Sequence, residues 1–179
     1  MTKGRKLDER TIAVMAVMIA VTFVFTMVRI LYIPATEGYI HLGDVAANFA
    51  ALAFGPWVGL VGAGVGMARA DAIGFPLYIV PTFIIHGLQG LVVGYLGWRK
   101  GWRTMVIAAI VGQLIVVGGY FVVQNFLYGI GPAFVEAPWN GVQGLLGVIG
   151  GVALFLLVRR AYPPIEQMGM GRTWLEEPD

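Results

Sequence analysis

The run from Thr104 to Tyr128, TMVIAAIVGQLIVVGGYFVVQNFLY, contains no charged residue and follows a basic cluster of Arg99, Lys100 and Arg103. A helix rises ~1.5 Å per residue, so about 20 mostly apolar residues cross a hydrocarbon core of about 30 Å. This stretch is long enough to span, and the basic cluster marks its start as cytoplasmic. The composition extends that reading to the whole chain. Of 179 residues, 58% are hydrophobic and 12% charged, with a mean hydropathy of +0.78. A soluble domain usually carries about 25% charged residues. The expected fold class is an all-α integral membrane protein.

Working outward, the apolar runs divide at Pro, Gly and charged residues into six helices in one membrane domain, residues 1–179. Their expected spans are 11–31, 44–54, 57–70, 78–98, 104–128 and 139–160, with polar tails at 1–10 and 161–179. The second is only about 16 Å long at the helical rise, so it is either half-length or extended by ordered loop residues. The first apolar run, 12–33, is too long for a signal-peptide core and predicts no cleavable signal.

Charge placement tests the partition. Lys3, Arg5, Lys6, Arg10, Arg99, Lys100, Arg103, Arg159, Arg160 and Arg172 fall on one side, ten of the 12 Lys and Arg residues. Glu37, Asp44, Asp71 and Glu136 fall in the loops of the other side. The positive-inside rule then puts both termini in the cytoplasm, and an odd helix count would scatter the basic clusters. The sequence pI of about 9.0 thus reports topology, and nucleic acid is not an expected partner.

Several chemistries are excluded or weakened. Cysteine and serine are absent, which removes disulfides and the usual nucleophiles of membrane hydrolases. No Walker motif is present. His41 and His86 lie on different elements without a close-spaced ligand cluster, so no metal site and no cofactor are expected. Glycine, at 26 residues, forms pairs four apart (Gly55/Gly59, Gly62/Gly66, Gly90/Gly94, Gly147/Gly151). Such pairs let helix backbones approach closely in lipid.

The polar residues of the apolar segments are the candidates for function. Arg29 and Arg69 stand near the outer ends of helices 1 and 3, where a charge is costly unless paired; pairing with Glu37, Asp44 or Asp71 would hold the outer loops. His86 and Gln89 share a face of helix 4. Gln113, Tyr120 and Gln124 form a stripe on helix 5, and Asn140 and Gln143 share a face of helix 6 beside Trp139. Interhelical hydrogen bonding explains any one of them. Together they gather in the outer half of the bundle, as the lining of a small-molecule pocket does. The expected substrate-binding set is Arg29, Tyr39, His41, Asp44, Asn48, Asp71, His86, Gln89, Tyr120, Gln124, Trp139, Asn140 and Gln143. Tyr39 and Trp139 would stack on or cover a flat heterocycle. His86, Gln89, Asn140 and Gln143 would hydrogen-bond its edge, and Arg29 and Asp44 either contact it or brace the loop above.

The segment Gly38-Tyr39-Ile40-His41-Leu42-Gly43-Asp44, with Ala50-Ala51, Phe54-Gly55-Pro56 and Gly59, resembles the substrate-binding S-components of energy-coupling factor (ECF) vitamin importers. The likeness continues through Ala70-Asp71, Ile84-Ile85-His86-Gly87-Leu88-Gln89-Gly90 and Asn140-Gly141-Val142-Gln143, and is nearest to the hydroxymethylpyrimidine and pyridoxine-type subgroup. The resemblance implies a six-helix fold with the loop after helix 1 as a lid, and binding of a B-vitamin or vitamin precursor at the outer face. It also implies a prokaryotic plasma-membrane location. The implied partners are a transmembrane T-component and two cytoplasmic ATPases. Small residues on helix 1, here Ala13, Ala16 and Ala20, would form the docking face. The chain departs from the subgroup at His86 and Gln89, where Lys and Glu are common, which points to a different or less charged ligand. Two other classes stay open on the residues alone: a stand-alone carrier, and a membrane enzyme using Asp44 and Asp71 as acid and base.

Overall fold

A computed structural model describes residues 9–168; the polar ends expected at 1–8 and 169–179, with Lys3, Arg5, Lys6 and Arg172, lie outside the described residues. Six helices are present among them: α1 Glu9–Met27, α2 Gly43–Phe54, α3 Pro56–Asp71, α4 Ile79–Gly97, α5 Trp102–Tyr128 and α6 Ile130–Ala161. Short 3-10 turns stand at Pro76–Tyr78 and Pro163–Gln167. Four segments are long and apolar enough to cross a membrane: Glu9–Met27, Pro76–Gly97, Trp102–Tyr128 and Ile130–Ala161. The protein is an integral membrane helical bundle.

The alternating helix directions put Arg10, Arg99, Lys100, Arg103, Arg159 and Arg160 at one end of the bundle, and the connections α1–α2, α3–α4 and α5–α6 at the other. Helix α2, of 12 residues, need not span. Nearly all of it is buried, from Asp44 to Phe54, because α1, α3, α4 and α6 pack around it.

Two boundaries differ from expectation. Helix α1 stops at Met27 rather than near Leu31. Residues Arg29–Ile33 (β1) instead pair antiparallel with Gly38–His41 (β2), with Tyr32 opposite Tyr39 and Ile33 opposite Gly38. The RILYI run ahead of Pro34 is rich in β-branched and aromatic residues, which favour a strand, and apolar content alone does not separate helix from strand. The second difference is α6, which starts at Ile130 and continues through Pro138, where a loop to residue 138 is expected. Gly129, at φ 90°, breaks the chain after α5. Pro132 then falls in the first helical turn, where a missing N–H costs nothing. Pro138 is carried within the helix, as membrane helices tolerate.

Glycines set the spacing of the layers. A Cβ on Gly90 would overlap the Gly59 carbonyl, so α3 and α4 meet backbone to backbone. A Cβ on Gly147 or Gly151 would come within 2.5 Å of the Cβ of Asp44 or Asn48. Those glycines let α6 lie against the polar face of α2, the arrangement on which the site depends. Toward the basic end the interior is apolar, with Met18, Leu52, Phe54, Val58, Val93, Met105, Val152 and Phe155 in one cluster.

Candidate functional site

Asp44 is the centre of the polar interior. It follows Gly43 in the first turn of α2, where a carboxylate faces the positive end of the helix dipole. Gln89 Nε2 of α4 donates to its Oδ1 at 3.0 Å, and Gln143 Nε2 of α6 donates to its Oδ2 at 2.7 Å. His86 Nδ1 lies 3.3 Å from Oδ1 and 2.7 Å from Gln89 Oε1. All four side chains are buried. Burying a carboxylate is tolerable only with such a full set of donors.

The hairpin is tied to this layer. The His41 backbone N–H donates to Gln143 Oε1 at 3.0 Å, and the Gly43 N–H donates to His41 Nδ1 at 3.0 Å. The neutral His41 ring therefore carries its proton on Nε2. Burial pushes this imidazole down to about 4; the nearby Asp44 carboxylate partly opposes that, and His86 and Arg29 add to it. Tyr39 donates to Asp71 Oδ1 at 2.6 Å. Burial and that carboxylate push the Tyr39 phenol well above its usual range, so it remains a donor. At the hairpin tip, buried Thr36 gives its hydroxyl to Glu136 Oε2, and its carbonyl accepts from Tyr78.

Between hairpin and helices lies a small cavity lined by Gly38, Tyr39, His41, Asp71, Tyr78, Tyr120, Glu136, Asn140 and Gln143. Tyr39, His41, Tyr78 and Tyr120 give it ring-bearing walls. Ring centroids stand 5.3 Å apart for Tyr39 and His41, 6.2 Å for Tyr78 and Tyr120, and 5.6 Å for His86 and Tyr120. Tyr120 is held in place by Thr82, 2.6 Å from its hydroxyl. Flat rings edged by amides and carboxylates suit a small heterocycle, stacked on its faces and hydrogen-bonded at its rim.

Of the expected residues, Tyr39, His41, Asp71, Tyr120, Asn140 and Gln143 line the cavity, and Asp44, His86 and Gln89 form the bonded layer with Gln143. Asn48 is buried one turn farther along α2; both its amide atoms and both of Gln113 lack partners. Gln124 lies against Glu136 on α5. Trp139 is 44% exposed and stands outside the lining. It falls on the exposed side of α6, one position before Asn140.

Arg29 is also placed differently. It is exposed on β1 and donates to the Ala70 and Ile73 carbonyls at 3.5 and 3.0 Å. Its guanidinium also stacks on the rings of Tyr39 and Phe75, 4.7 and 4.8 Å from their centroids. Carbonyls at the end of α3 and aromatic faces hold it, so it braces the hairpin from outside. Asp71 and Glu136, expected in loops, are buried in helices, and Asp44 is buried at the start of α2 as its helix assignment expected. Arg69 is exposed.

The expected substrate-binding set left out Tyr78, Glu136 and Thr36. Tyr78 and Glu136 sat beside presumed loop boundaries, and nothing in the sequence marks Thr36 as buried. Only Glu136 left a usable signal: it lies four residues before Asn140 and would share its face if the helix extended upstream.

A buried polar pocket under a β-hairpin, set in a membrane bundle, has the form of a small-molecule binding site. The family described as "ECF-type riboflavin transporter, S component" matches residues 6–160, and the chain belongs to that family. It is also 30% identical, over 163 residues and 90% of each chain, to the thiamine precursor transporter HmpT of Lactococcus lactis subsp. cremoris (strain MG1363). A Pyrococcus woesei protein described as "uncharacterized protein in gap 3'region" is 37% identical over 149 residues, 82% of this chain and 99% of that one. The protein is thus a vitamin-transporter subunit and not an enzyme.

Proposed function

We propose that this S-component captures a single-ring vitamin precursor of the hydroxymethylpyrimidine or pyridoxine type. The observation that carries the reading is the cavity under the hairpin. The space it encloses is small, and a single ring needs less widening of it than a fused three-ring system. That supports one substituted ring over the three-ring flavin in the family's description, and agrees with the substrate class in the name of the Lactococcus relative. The ring would stack among Tyr39, Tyr78 and Tyr120, with His41, Asn140, Gln143 and Asp71 at its edge and the Asp44–His86–Gln89 layer as the floor.

In this reading the hairpin end faces outward and the basic end faces the cytoplasm of a prokaryotic cell. The apolar cluster beneath the floor offers no polar path through the bundle, which suits a capture subunit that depends on a partner for energy. Ala13, Ala16 and Ala20 are exposed on α1, and small residues of this kind suit close helix docking. They would meet a T-component that works with two ATPases.

Native mass spectrometry of the purified chain tests the reading. One co-purified heterocycle of single-ring mass, recovered without nucleotide, is the expected result. Co-purified riboflavin would overturn the substrate class. No thermal shift with any B-vitamin or precursor would overturn the capture function.

A further inference from the structure

The cavity has two unlike ends. One rests on the Asp44–His86–Gln89–Gln143 layer, where each carboxylate oxygen already has a donor. The other is built around Glu136, only 3% exposed on α6. Thr36 occupies Glu136 Oε2, while Oε1 faces the bare Cα of Gly38; a Cβ there would lie 2.7 Å from it. Asn140, one turn along α6, and Gln124 of α5 lie against the same carboxylate. Asn140 Nδ2 and both amide atoms of Gln124 are buried without hydrogen-bond partners. Among the described residues no Lys or Arg lines the cavity.

Once ionised, as a donating ligand favours, this carboxylate only accepts, with about four lone-pair sites on its two oxygens. Thr36 fills one and the amides of Gln124 and Asn140 lie within reach of others, which leaves the cavity side for a ligand's donor. Building on the capture function above, we infer that Glu136, supported by Asn140 and Gln124, is the specificity-determining end of the pocket. It selects a ring that presents N–H donors, such as an exocyclic amine beside a ring nitrogen. A carbonyl or phosphate at that edge would face the carboxylate, leaving it unpaired and repelled. A site built to pair a donor rejects the analogue lacking it far more strongly than an apolar pocket rejects a missing methylene.

The test compares 4-amino- and 4-oxo-pyrimidines bearing the same hydroxymethyl substituent, titrated by calorimetry into the full chain in nanodiscs. The wild type should prefer the amino form by at least ~10-fold, and Glu136→Gln should bring the ratio to about 1 or invert it, since an amide can donate to the carbonyl. Thr36→Val removes the hairpin contact but keeps the carboxylate. It should weaken both ligands alike and preserve the ratio. Gln124→Leu, a second probe of the same end, should shrink the ratio even where Glu136→Gln fails to fold. An unchanged ratio in Glu136→Gln, or an oxo preference in the wild type, overturns the inference while leaving the capture function standing. Failure of both pyrimidines, with another vitamin bound, also overturns the inference alone; failure of every heterocycle overturns both.

Discussion

The two halves of the bundle are built from the same six helices but solve opposite problems. Near the hairpin, Asp44, His86, Gln89 and Gln143 are buried and hydrogen-bonded to one another. Near the basic end, Leu52, Val58, Met105 and Phe155 fill the same interior with apolar packing. In lipid, apolar packing is mainly a matter of shape, whereas a buried polar set must be nearly complete or it is costly. In the proposed function the polar half carries recognition, and the apolar half is the wall that closes it.

The largest effect that would sharpen this contrast comes from Asp44→Ala. It strands Gln89, Gln143 and His86 at once, and removing one member of a buried charged network costs about 3–5 kcal/mol. Thermal unfolding in detergent should show that loss, and calorimetry should show ligand affinity abolished. Phe155→Ala should cost a comparable ~3–5 kcal/mol yet leave the ligand Kd within about twofold of wild type. Equal damage to binding from the two variants would break the contrast between the halves.

A smaller effect is expected at the rim. Tyr39→Phe removes the 2.6 Å bond to Asp71, and a hydrogen bond to a charged group contributes about 1.5–3 kcal/mol. Affinity should fall by about tenfold or more, with most of the change in the dissociation rate measured by stopped flow. On the outer surface of α1, Ala16→Leu should change stability by no more than ~0.5 kcal/mol and leave binding intact. Uptake in cells carrying the partner subunits should nonetheless drop sharply; undiminished uptake would remove α1 as the docking face.

The smallest effect concerns pH. The His41 pKa is about 4 in the fold against ~6.5 unfolded. The unfolded or open hairpin therefore binds more protons between those values. Closure is fully stabilised above ~6.5 and weakens as pH falls toward 4. Hydrogen exchange of the Gly38–His41 amides should quicken over that window after correction for intrinsic rates, and His41→Gln should flatten the trend.

Much of the scaffold was legible before any coordinates. Apolar run length identified the helices, and the Arg and Lys clusters grouped one set of ends, because both signals are sums over local composition. The hairpin was not legible, since RILYI is as apolar as the helix before it. Nor was the continuation of α6 through Pro138, which depends on neighbours tolerating a lost backbone bond. At the site, His86 and Gln89 could be paired from their spacing alone. Their meeting with Asp44 could not.

The amino-acid sequence alone determined that this protein lives in a membrane, how many helices it has, and which ends share a charge. It also determined that its polar residues are too few and too clustered to be incidental. Tertiary structure decided which of them form the pocket. The Gln143–Asp44 and Thr36–Glu136 contacts join residues 99 and 100 positions apart. Such contacts depend on helix rotation and on how closely Gly147 and Gly151 let α6 approach α2, and no local pattern encodes either.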